Sequence, residues 1–152
     1  MKPETRAAHS ATALERATVF AYVDGETGPF AYQRHGHPAG AEAERVLSEL
    51  DGGHALLFPS GSGATTAVVL ALLQPGDTVA LPRGAYYGTG VTLRMLARWG
   101  LEAVEFDQAG PAPDGAALVW LEAPANPFLT FPDIGAVAKL AHAAGARLLV
   151  DA

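Results

Sequence analysis

The chain has 152 residues, 49% of them apolar, with a formal net charge of −6 and no cysteine. That length suits one domain with a sizeable core. A mildly acidic balance with no Lys/Arg run excludes an electrostatic footprint for nucleic acid, and the absent thiols exclude a disulfide scaffold or a thiolate zinc site.

Met1-Lys2 is followed by polar residues with no apolar stretch, so no secretory signal is expected. The longest apolar run, Ala67 to Leu73, is too short to span a bilayer, and a cytoplasmic protein without a membrane segment is the expectation. Residues 1–40 lack sustained periodicity and carry Gly, Pro, Thr and aromatic residues, which suggests an extended arm, a kind of segment that often lies on a neighbouring subunit. His35 and His37 in that arm have no accompanying ligand cluster and read as loop histidines, not as a metal site.

Residues 41–152 read as alternating helices and strands. A helix is predicted from Ala39 to Leu50, with Ala43, Val46, Leu47 and Leu50 on one face and Gly52-Gly53 ending it. Ala55 to Phe58 is expected to be a short buried strand. A Pro-Ser-Gly-Ser-Gly turn and a helix of small residues follow, the helix stopping at Gln74-Pro75-Gly76. Asp77 to Leu81 is a strand, Pro82 to Gly88 a loop, and a helix then runs to Trp99. Glu102 to Phe106 is the next strand. After a Gly/Pro connection, Ala117 to Leu121 is an apolar run that suits a strand covered on both faces. The loop Glu122 to Pro132 leads to a helix capped by Asp133. Arg147 to Val150 is the last strand, with Asp151 at its carboxyl end.

Strands alternating with helices predict an α/β fold with a mostly parallel sheet and right-handed crossovers. Ligands on such sheets bind beyond the carboxyl ends of the strands, where Ser60-Gly61-Ser62, Tyr86-Tyr87, Glu122 to Asn126 and Asp151 all fall. The glycines after the first strand either let backbone N–H groups at a helix start meet an anion or simply let strand and helix pack closely. A dinucleotide fingerprint fails, because Thr66 stands where its third glycine belongs and no acidic residue ends the second strand. A P-loop lacks its lysine, and neither Ser60 nor Ser62 sits in a G-x-S-x-G frame. A phosphate turn, an aromatic face, an amide and a strand-end carboxylate remain. Together they suit a phosphorylated heterocycle with a basic ring nitrogen, as in pyridoxal phosphate. A carboxylate beside that nitrogen favours its protonated form.

From Thr5-Arg6-Ala7-Ala8-His9 onward, these ordered motifs resemble the amino-terminal part of the pyridoxal-phosphate enzymes of cysteine and methionine metabolism. That family includes cystathionine gamma-synthase and the cystathionine lyases. The resemblance implies an incomplete fold-type-I large domain preceded by an arm. It implies that Tyr32 and Arg34 reach the cofactor phosphate of a neighbouring subunit, and that backbone N–H groups of Gly61 and Ser62 hold the phosphate. Tyr86, within Ala85-Tyr86-Tyr87-Gly88-Thr89, would stack on the ring and act in proton transfer as the catalytic residue. Asn126, within Glu122-Ala123-Pro124-Ala125-Asn126-Pro127, would approach the phenolic oxygen while Glu122 supports the loop, and Asp151 would pair with the ring nitrogen.

The implied chemistry is elimination or replacement at the gamma or beta carbon of an amino-acid substrate, in a homo-oligomer built as a dimer of dimers. Synthase or lyase action on cystathionine-type substrates comes first. An O-acyl-homoserine sulfhydrylase is the alternative, and Gly88 stands where the methionine gamma-lyases usually carry cysteine. His37-Pro38-Ala39 replaces the usual Asn-Pro-Thr, and Ala152 the usual Asn. The family's lysine that bonds the cofactor aldehyde lies beyond the strand ending at Asp151, and neither Lys2 nor Lys139 matches it. The chain by itself is therefore expected to be a fragment that does not turn over, unless it is a non-catalytic cofactor-binding or dimerising module.

Overall fold

The computed structural model describes residues 15–152. The expectations that rest on Lys2 and on Thr5 to His9 lie outside them. The chain divides into two compact units, Met1–Leu57 and Phe58–Ala152.

The first unit carries regular structure within the stretch expected to be an extended arm. Strands β1 (Tyr22–Val23) and β2 (Glu26–Thr27) form a small antiparallel hairpin. Its turn is Asp24-Gly25, both at positive φ, the sequence signature of a two-residue hairpin loop. The strands' flanks fold back as well, with Phe20 N–H donating to the Ala31 carbonyl at 3.0 Å and Gln33 N–H to that of Thr18 at 2.9 Å.

Helix α1 (Pro38–Asp51) begins on His37, whose Nδ1 accepts the Ala39 N–H at 3.2 Å. Histidine thus takes the capping role usually given to Asn, Asp or Ser, and Pro38 occupies the first helical position, where no N–H is needed. Gly52, at φ +66°, closes the helix in the left-handed conformation. On its exposed side Arg45 pairs with both Glu42 and Glu49, and that pairing holds the Glu42 carboxyl below its ordinary value.

The buried strand expected at Ala55 to Phe58 does not form. The segment pairs with no strand among the described residues, and Leu56 is 74% exposed. The reason lies in its donors. Ala55 N–H goes to Ser48 Oγ at 2.8 Å and Leu57 N–H to a Glu44 carboxylate oxygen at 2.9 Å, so α1 side chains take the donors along one edge of the segment.

The second unit is a parallel α/β sheet. Its elements are α2 (Gly61–Leu72), β3 (Thr78–Pro82), α3 (Tyr87–Leu96) with a 3-10 turn at Ala97–Trp99, β4 (Glu102–Phe106), β5 (Leu118–Glu122), α4 (Ile134–Ala143) and β6 (Arg147–Asp151). All neighbouring strands are parallel, in the order β4-β3-β5-β6. Strand alternation sorts the core into two layers. Val79, Leu81, Leu118 and Trp120 pack with Val69, Leu73 and Leu93 on the α2/α3 face. Ala80, Val119 and Leu121 pack with Val137 and Ala141 of α4 on the other. Strand β5 is buried along its whole length, as its unbroken apolar run requires. Asp133 caps α4 through Ala136 N–H at 2.9 Å, and Gly145 at φ +78° turns the chain into β6.

Candidate functional site

The strand order places a switch point in this sheet. The connection after β3 runs outward to β4 and the one after β5 runs outward the other way to β6, so a crevice opens between the carboxyl ends of β3 and β5. A cavity of about 660 Å³ lies at this end, on the α2/α3 face. One wall is the start of α2, with Ser60, Gly61, Ser62 and Thr65. A second is the loop and first turn of α3, with Tyr86, Gly88, Thr89 and Thr92. Trp120 of β5 and Leu149 and Asp151 of β6 complete it.

At the α2 wall, Ser60 is the N-cap and its Oγ accepts the Gly63 N–H at 3.0 Å. Ala64 N–H returns to the Ser60 carbonyl. Helix geometry leaves Gly61 and Ser62 N–H without an intrahelical acceptor, and they carry the positive end of the helix dipole. A Cβ added at Gly61 would meet nothing within 4 Å, so an anion can approach that backbone closely. The donors that suit an anion are therefore these two, while Gly63 is already bonded.

Tyr86 ends the β3 loop and is the N-cap residue of α3, with its ring lying beside Gly88. Its backbone N–H donates to Glu122 Oε1 at 2.5 Å. Glu122 is 4% exposed at the end of β5, so a buried carboxylate from one side of the switch point fixes the loop on the other. Gln108 holds Glu122 in turn, donating from Nε2 to its carbonyl at 3.0 Å and accepting its N–H on Oε1 at 3.1 Å. Gln108 drew no notice in the sequence, because an amide two residues after a strand carries no motif.

Asp151 closes β6 in register with Glu122, and this exposed residue is among those that line the cavity. Asn126 lies in a turn closed by the Ala125–Thr130 bridge, is exposed, and is not among the cavity's lining residues. Tyr32 and Arg34 belong to the first unit, where the Arg34 guanidinium sits 4.5 Å above the Tyr32 ring. His37 is occupied as a helix cap and His35 packs edge-on against Tyr32. Lys139 is exposed on α4, away from the cavity lining.

Two anion-seeking N–H groups, an aromatic ring and a carboxylate around one cavity at a parallel sheet's carboxyl edge define an α/β cofactor domain of the pyridoxal-phosphate kind. Residues 2–152 match the family model for Cys/Met metabolism PLP-dependent enzymes, and the chain belongs to that family. It is 35% identical over 170 residues to the cystathionine gamma-synthase of Mycobacterium tuberculosis, covering 98% of this chain and 44% of that protein. It is 36% identical to the cystathionine gamma-lyase of Mus musculus, covering 83% of this chain and 33% of that one. Among solved structures, a cystathionine gamma synthase from Xanthomonas oryzae pv. oryzae, in complex with aminoacrylate and cysteine, superposes with a TM-score of 0.80 at 30% identity. The match covers 89% of this chain and 37% of that one. The chain thus spans less than half the length of these relatives. Among the described residues no helix is long and apolar enough to cross a membrane.

Proposed function

We propose that these residues form the phosphate and ring-nitrogen side of a pyridoxal-phosphate site. We further propose that the whole protein carries out elimination or replacement at the gamma or beta carbon of sulfur-containing or O-acylated amino acids, as a cystathionine gamma-synthase or gamma-lyase. The observation that carries this reading is the convergence of Ser60-Gly61-Ser62, Tyr86 and Asp151 on one cavity.

The residues present fit the cofactor. Gly61 and Ser62 N–H groups take the phosphate, with open space above Gly61. Asp151 pairs with the ring nitrogen and favours its protonated form. When bound, the cofactor supplies an electron sink for a substrate that has lost its alpha proton. Tyr86 lies against the ring, adding about 0.5–1.5 kcal/mol beyond area burial, and its hydroxyl moves a proton. Asn126 would serve the phenolic oxygen from the turn after β5, which lies outside the cavity lining in this structure. Tyr32 and Arg34 reach the phosphate of a neighbouring subunit, a charge-assisted contact of roughly 1.5–3 kcal/mol. The same reading takes residues 1–40 as an arm and residue 41 as the start of a cofactor domain, in a cytoplasmic dimer of dimers.

The test is an assay of the whole protein with O-succinyl-homoserine plus cysteine, O-acetyl-homoserine plus sulfide, and cystathionine. Cystathionine formation from the first pair identifies a synthase, and breakdown of cystathionine a lyase. Activity with sulfide alone would move the assignment to a sulfhydrylase, and no cofactor-dependent turnover of any substrate would refute the reading.

A further inference from the structure

Pairing between β3 and β5 covers only Val79 with Leu118 and Ala80 with Val119. Farther along, β3 ends at Pro82, which has no N–H to give, and Arg83 N–H turns to Phe106 of β4. The last residues of β5 would then lack a partner on that side, where the cavity opens. Gln108 fills the gap. Its side-chain amide offers Glu122 one donor and one acceptor, as a neighbouring strand would, while the β6 side is served by Ala123 N–H to the Asp151 carbonyl at 2.9 Å. The clamped residue is the one whose carboxylate takes the Tyr86 N–H.

We infer that Gln108 is a positioning residue for the site: its amide fixes the backbone of Glu122, and through it the loop that presents Tyr86 to the cavity. Gln108 is half-buried and is not among the cavity's lining residues, so it acts through Glu122 and does not touch the ligand. A terminal amide suits this because it carries donor and acceptor on separate atoms, as a peptide group does, whereas carboxylates only accept and ammonium groups only donate. The inference rests on reading Tyr86 as part of the cofactor site.

The experiment is amide hydrogen exchange on the full chain without ligand, comparing the parent with Gln108→Ala. Loss of the clamp is expected to speed exchange of the Tyr86 amide by about three- to tenfold, the scale of one hydrogen bond, with Val119 and Trp120 unchanged. No change at Tyr86, or equal acceleration along all of β5, would overturn the inference. If Gln108→Ala does not fold, Gln108→Glu is read the same way, because it cannot donate to the Glu122 carbonyl. Pyridoxal phosphate is then titrated into both proteins, and weaker binding by the variant is expected, while equal binding would overturn the link to the site. Failure of the parent to bind would refute the cofactor reading alone, since the exchange result decides the role of Gln108 without ligand.

Discussion

The Tyr86 ring depends on the absence of a side chain two residues later. A Cβ added at Gly88 would lie 3.2 Å from both Cδ1 and Cζ of that ring, and closer still to Cε1. Carbon atoms rest at about 3.5–4.0 Å, so in Gly88→Ala the ring must move. It can, because Tyr86 is 58% exposed and no core neighbour confines it. Turning it off its rotamer costs about 0.5–1.5 kcal/mol, and replacing Gly by Ala in a helix returns up to about 1 kcal/mol. These terms nearly cancel. The expected change in melting temperature is therefore small, a few degrees at most. Binding is expected to change more. A displaced ring loses stacking of about 0.5–1.5 kcal/mol, which weakens pyridoxal phosphate binding by about two- to thirteenfold. The assay is a pair of measurements on parent and variant, a fluorescence titration with pyridoxal phosphate and a thermal melt without it. A variant that melts many degrees lower yet binds the cofactor as tightly would show that Gly88 serves packing and would refute the reasoning.

Ser60→Ala removes the cap from α2 and is expected to cost about 1 kcal/mol in a denaturant titration, with Ser60→Asp recovering most of it. Arg147 Nη1 donates to the Leu72 carbonyl at 3.1 Å, at the carboxyl end of α2. Arg147→Met should therefore lower stability by about 0.5–1.5 kcal/mol, with cofactor affinity unchanged. Trp120 borders the cavity while Trp99 is 66% exposed and is not part of its lining. Quenching of tryptophan emission by pyridoxal phosphate should survive Trp99→Phe and disappear in Trp120→Phe.

The sheet was legible because parallel strands buried on both faces must be continuously apolar, as Leu118 to Leu121 is, and because glycines end the helices between them. The α2 turn, Tyr86 and Asp151 were legible as a group, since a parallel sheet sends every strand end to the same edge. Two local features were not. The run Ala55 to Phe58 looked like a strand because apolarity reports a preference for burial, not the presence of a partner, and its donors are taken by Ser48 and Glu44. The Gln108–Glu122–Tyr86 chain links the end of β5 to the loops after β3 and β4, and no spacing along the sequence encodes such a contact. The Asp24-Gly25 hairpin did carry a signal, in a pair of residues that tolerate positive φ, but strands of two residues leave no periodicity around it.

The narrow join between β3 and β5 also has a kinetic side. Each half of the sheet, β3-α3-β4 and β5-α4-β6, closes through connections between neighbours in sequence, whereas the strand ladder between the two halves covers two register pairs. Local closures carry the smaller entropic cost, so the halves are expected to assemble early and their docking to complete the structure. The cavity takes residues from both, and a ligand seated there gains its contacts only once docking is done. Such a ligand stabilises the native state without helping the transition state, so bound cofactor lengthens the life of the folded chain without hastening its formation.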